Sequence, residues 1–89
     1  MQNLPLLRWN MTYGADLACR FWGEECLVHH ALSNDTHRLA AWAGRLLMAL
    51  LGMGVASTEA LSEYLDQDAA EVEAALVVLA ELDLVSRCR

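Results

Sequence analysis

From Ala40 to Leu51 the chain carries a single polar side chain, Arg45. A helix that is apolar on nearly every face must be covered from several directions. This stretch therefore predicts a central helix, with the other elements as its cover. It is short for a bilayer, Arg45 lies near its middle, and Gly52-Met53-Gly54 stops it. A buried core helix is expected rather than a membrane span.

Two more helices are expected after it. Ser57 is a good N-cap, and Glu59 stands in the first turn, where the helix dipole favours an acid. That helix runs from about Thr58 to Leu65, buries Leu61 and Leu65, and ends at Asp66-Gln67. Asp68-Ala69-Ala70-Glu71 has the spacing of a capping box, so the last helix runs from about Ala69 to Leu82. One stripe on it is Val72, Leu76 and Leu79, continuing to Leu82 or Asp83; an adjacent one is Ala75, Val78 and Leu82. The helix is apolar beyond what one partner covers. The surplus faces the sheet, a second copy of the chain or another partner. Leu84-Val85-Ser86 reads as a short closing strand.

Before the central helix the pattern is that of strands. Leu17 to Trp22 alternates and is aromatic. Gly23-Glu24-Glu25 is a tight connection, and Cys26 to Ala31 is a second strand, giving a hairpin whose loop has two or three residues. A one-residue slip exchanges the faces, so the burial of Cys19, Cys26, His29 and His30 is left open at this point. Ser33-Asn34-Asp35 is turn chemistry, and Thr36 to Leu39 is the third strand. Residues 1–16 read as an N-terminal arm containing Pro5, with Leu6, Leu7, Trp9 and Met11 able to dock and Tyr13-Gly14-Ala15-Asp16 as a turn. Residues 17–89 read as the single domain. The fold class is α+β: a three-stranded antiparallel sheet followed by a winged-helix-like bundle of three helices.

Composition narrows the function. The chain has 89 residues, is 56% hydrophobic, and sets twelve acids against six arginines, with no lysine, for a net charge of -6. That balance disfavours nucleic acid and anionic membranes as partners. The order of short helix, turn, longer helix and apolar pair outlines a winged helix-turn-helix. Its recognition helix, Ala69 to Leu82, carries Glu71, Glu73 and Glu81 and no cation. From Ser57 to Asp83 there are eight acids and no arginine or lysine, so phosphates would repel it. Three cysteines at no framework spacing and no secretory signal suggest reduced thiols in the cytoplasm. Cys26, His29, His30 and His37 are the only metal-like group. Adjacent histidines on a strand point to opposite faces, so four ligands do not converge, and no metal or other cofactor is expected. No nucleophile, base and orienting group come together, so no enzymatic activity is expected.

The stretch Trp22-Gly23-Glu24-Glu25-Cys26-Leu27-Val28-His29-His30, followed by Leu32-Ser33-Asn34-Asp35-Thr36-His37-Arg38-Leu39, resembles the PqqD-like peptide-chaperone family, in particular its HPr-rel-A system subgroup. There the turn usually reads Ser-Gly-Asp-Thr-His. Asn34 stands at the glycine position, where a left-handed residue is tolerated. The resemblance spans roughly Leu17 to Val85. It implies a bacterial leader-peptide carrier for ribosomally made, modified peptides. The leader would add as a strand along Thr36, His37, Arg38, Leu39 and Ala40. It would lie in a groove walled by Val72, Ala75, Leu76 and Leu79. The implied second partner is a modifying enzyme, in the better-known relatives a radical S-adenosylmethionine protein. The alternative is an acidic winged-helix-like module that docks on a protein or forms a homodimer.

Overall fold

The computed structural model describes residues 8–12, 17–31 and 34–88. Its elements are β1 (Arg8–Met11), β2 (Leu17–Trp22), β3 (Glu25–His30), β4 (Asp35–Ala40), α1 (Ala41–Met53), β5 (Val55–Ser57), α2 (Thr58–Leu65), α3 (Ala69–Glu81) and β6 (Val85–Cys88). They form two three-stranded antiparallel sheets, in the orders β2-β3-β4 and β5-β1-β6. The α+β class and the three helices match the expectation. The single sheet does not: a second sheet is built from the N-terminal segment and two short strands that flank the helices.

Helix α1 is the centre. It packs on strands of both sheets and on α2. Ala43, Gly44, Leu46, Leu47, Ala49 and Leu50 are its buried residues. Its stop is Gly54, at φ 81, whose N–H donates to the Leu50 carbonyl at 2.8 Å. Against one side lies β3, where burial alternates: Cys26, Val28 and His30 are inside, Leu27 and His29 half-exposed. That alternation is the period of a strand with one covered face. Trp22 pairs with Glu25, so the hairpin loop has two residues, Gly23 and Glu24. Gly23 takes φ 57 at the first loop position, as tight hairpins require of glycine.

Against another side lies β1, the segment expected as a docking arm. Arg8–Met11 is the middle strand of its sheet, paired with β5 on one side and β6 on the other. Trp9 is fully buried. Its indole N–H donates to the Thr58 hydroxyl at 3.2 Å, which satisfies the one polar atom of a large buried ring. The Arg87 guanidinium lies 5.0 Å from the ring centre. Thr12 extends the attachment: its N–H donates to the Leu84 carbonyl at 3.1 Å, and its hydroxyl is 2.8 Å from that of Ser86. Leu6, Leu7, Pro5 and the Tyr13–Asp16 turn lie outside the described residues.

The helix ends follow local chemistry. Ser57 caps α2 by accepting from Ala60 N–H at 3.1 Å, as expected. Asp66 ends α2 and Asp83 follows α3, both in the left-handed region at φ 56 and 64. After α3 the Leu84 N–H returns to the Leu79 carbonyl at 2.9 Å, and Leu84 is buried. The capping box at Asp68 does not form. Asp68 occupies the N-cap position but makes no side-chain cap hydrogen bond. Its carbonyl opens the helical ladder by accepting from Val72 N–H at 3.0 Å.

The packing makes three changes costly. A Cβ on Gly44 would stand 2.5 Å from Cys26 Sγ and 2.9 Å from Phe21 Cε1. Gly44→Ala gains about 1 kcal/mol of helix propensity but overpacks the helix–sheet contact at a cost of about 1–3 kcal/mol. Urea unfolding should show a net loss of stability; an unchanged or raised midpoint would mean that α1 can lift off β3. Trp9→Ala should cost about 3–5 kcal/mol, a large part of the roughly 5–13 kcal/mol available to a domain of this length. Deleting residues 1–11 should likewise abolish cooperative unfolding. A truncated chain that still melts cooperatively would show that β1 is dispensable.

Candidate edge-strand binding site

Strand β4 pairs with β3 over Asp35 to Ala40 and, among the described residues, with nothing on its other side. It starts from Asn34, left-handed at φ 60, as the glycine-like position in the turn requires. Asn34 N–H donates to the His30 carbonyl at 2.7 Å. Strand β4 ends by running straight into α1.

Which of its backbone groups are available follows from the ladder. Ala41 N–H donates to the Glu24 carbonyl at 2.8 Å. In an antiparallel pair, hydrogen-bonded and non-hydrogen-bonded positions alternate. Counting back from that bond, Leu39, His37 and Asp35 direct their amides at β3, and Ala40, Arg38 and Thr36 direct theirs outward. The outward amides thus belong to residues whose side chains share the face of Glu25, Leu27 and His29, their cross-strand neighbours. This face is turned away from α1. On it Thr36 Oγ1 is 3.0 Å from His29 Nδ1, and Arg38 Nε is 3.5 Å from Glu25 Oε1. That ion pair is well exposed and contributes little to stability, but it neutralises the one cation on β4. On the other face Leu39 packs against the core, and His37 is half-buried.

The expected groove wall on α3 is not there. Val72 and Leu76 are 0% exposed and Leu79 is 1% exposed, and all three belong to the main core cluster. Ala75 is half-buried against the same cluster. The stripe is the buried one because α3 packs on α2 and β6, whereas the helix beneath β4 is α1. The outward face of α3 carries Glu71, Glu73, Ala74, Val78 and Glu81. Thr36–Ala40 and the α3 stripe are therefore not two walls of one open groove.

The hairpin histidines and cysteines separate as alternation demands. His30 is buried on the side of Cys26, and His29 is on the outer face. No three His, Cys, Asp or Glu side chains among the described residues are grouped to hold a metal ion. No helix among them is long and apolar enough to cross a membrane. Cys19 stands diagonally across from Cys26 on the inner face. Burial pushes its thiol from 9.0 up to about 11, and the neighbouring Cys26 adds to the shift.

Sequence reasoning passed over the opposite edge of this sheet. Strand β2 is also paired on one side only among the described residues. Phe21 and Trp22 on it are 45% and 63% exposed. Their adjacency was the available signal, since neighbouring residues of a strand cannot both point into one core.

With the thiol held at about 11, about one Cys19 in a thousand should be ionised at pH 8, each unit of pKa being tenfold, and the thiolate is the reactive form. Alkylation by iodoacetamide should be correspondingly slow and should accelerate between pH 9 and 11. The unfolded chain releases this proton near pH 9.0 and the native one near 11, so this thiol's contribution to stability should fall as pH rises across that window. Fast labelling of Cys19 at pH 8 would contradict its burial. No protein-family model, curated protein or solved structure matches this chain, so what the site does has to be argued from its geometry.

Proposed function

We propose that this protein is a non-catalytic peptide-binding module of the PqqD-like kind. It takes an extended leader peptide onto the outer edge of β4 and presents it to a modifying enzyme. The observation that carries this reading is the edge itself. Six residues of regular strand expose the outward amides of Thr36, Arg38 and Ala40 beside a core helix that holds the strand rigid. Strand addition needs such a row of main-chain donors and acceptors. Affinity then comes from backbone bonds, and selectivity from side chains that alternate between the two faces. On the outer face the incoming strand meets Thr36, Arg38 and Ala40. Toward α1 it meets His37 and Leu39. Because Val72, Leu76 and Leu79 are in the core, selectivity on that side is assigned to residues near α1 and not to α3.

The test is an amide NMR titration of labelled protein with precursor peptides encoded beside its gene. Shifts should cluster at Thr36 to Ala40. Thr36→Pro removes an outward amide without touching the β3 ladder, and should weaken binding roughly three- to tenfold, the worth of one hydrogen bond. Thr36→Ala keeps the amide and should bind within about twofold of the parent, since one exposed hydroxyl contributes little. Equal affinity for the proline variant would rule out addition at this edge. Leu79→Asp places a charge in the core and should unfold the protein.

A further inference from the structure

The second open edge of the same sheet differs from β4 in its chemistry. Arg20 on β2 and Arg45 on α1 are both exposed, and neither makes an ion pair among the described residues, where the salt bridge is Arg38 to Glu25. In a chain of net charge -6, unpaired cations on both sides of one strand are notable. Arg20 opposes Leu27, so it is on the outer face. Arg45 lines a groove on the inner side with Phe21, Met48 and Tyr64. The two arginines are therefore on opposite faces of the sheet at β2. The available backbone follows from the two-residue hairpin. Trp22 and Glu25 close it as a hydrogen-bonded pair, so the amides of Phe21, Cys19 and Leu17 point outward.

We propose that the β2 edge is a second docking site, for an extended segment of a partner protein that carries carboxylates. Such a strand pairs with Leu17 to Phe21. It lays alternate side chains on the two faces, acids beside Arg20 on the outer face and apolar residues against Phe21, Met48 and Tyr64 on the inner one, where Arg45 at the same groove adds to the positive field. A second copy of this chain is the poorer occupant. Two β2 strands paired antiparallel about a two-fold axis bring their Arg20 side chains toward one another, and like charges near each other across strands are destabilising. The proposal uses a different edge from the peptide site on β4 and stands independently of it.

The experiment uses fluorescence anisotropy with the full chain and a labelled, end-capped peptide alternating glutamate and valine. A control peptide carries lysine in place of glutamate. The glutamate peptide should bind, more weakly at high salt, with amide shifts at Leu17 to Trp22 and around Arg45 and Tyr64. The lysine peptide should bind at least about tenfold more weakly, and the Arg20→Glu/Arg45→Glu double variant should reverse that preference, as opposed charges across an interface do. Thr36→Pro should leave this binding unchanged. The proposal is overturned if the glutamate peptide does not bind, or if the double variant binds it as tightly. Shifts that fall on β4, or a dimer through β2 in sedimentation, would also overturn it.

Discussion

Helix α1 presents more apolar surface than one sheet can cover, and the rest of the molecule is arranged around that fact. Cys26 and Val28 of β3 lie in the core on one side of it. Trp9 of β1 and Ala56 of β5 are buried from the other sheet, and Leu61, Val72, Leu76 and Leu79 complete the cluster from the remaining helices. Gly44 marks a close approach of α1 to β3, since a single added carbon would overlap Cys26. This demand explains why an 89-residue chain makes two small sheets instead of one larger one. Each sheet is too narrow to cover the helix alone, and each is held by the helix it covers.

The same demand limits which surfaces stay open for the proposed binding. Surfaces that touch α1 are consumed by the core. Among the described residues, the outer face of β2-β3-β4 and its two edges are among the surfaces left open. Strand β3 has partners on both sides, so its register positions β2 and β4 together. The edges are exposed but supported, because α1 packs on the sheet's inner face along all three strands. A preformed edge lowers the ordering cost of receiving a peptide strand, which is the main way rigidity adds to affinity.

Much of this was legible in the sequence, for local reasons. The bounds of α2 could be read from Ser57 and Asp66 because a cap is a contact between near neighbours. The hairpin at Gly23 and the left-handed Asn34 could be read in the same way. Strand β1 could not. Its four residues carry almost no periodic signal, and what defines them is pairing with Val55–Ser57 and Val85–Cys88, far along the chain. Trp9 was visible as a large apolar residue, but its place at the core depends on those pairings. The α3 stripe failed for another reason. Periodicity finds Val72, Leu76 and Leu79 on one face without saying whether that face meets the core or a groove. The neighbour of α3 decides it, and that neighbour is α2 rather than β4. The Asp68 spacing shows the limit of motif reading: the cap position is occupied and the side-chain bond is not made.

Open edges invite association with copies of the same chain, so they need protection. Strand β4 carries Asp35 and the Arg38–Glu25 pair, and its run is cut short by the turn into α1. Strand β2 has less. Its aromatic residues Phe21 and Trp22 make it adhesive, and its only charged side chain is Arg20. That single cation works against self-pairing, because an antiparallel copy returns the same charge to the same place. It does not work against a strand bearing carboxylates. Most acids of this chain are poorly placed for that part, because eight of the twelve lie between Ser57 and Asp83, in α2, α3 and their connections; Asp35, on the edge strand β4, is an exception. In the proposed docking, the charge pattern favours an acidic partner over isologous self-pairing at β2. At the proposed β4 site, where Arg38 is already paired with Glu25, discrimination would rest on side-chain shape and backbone register.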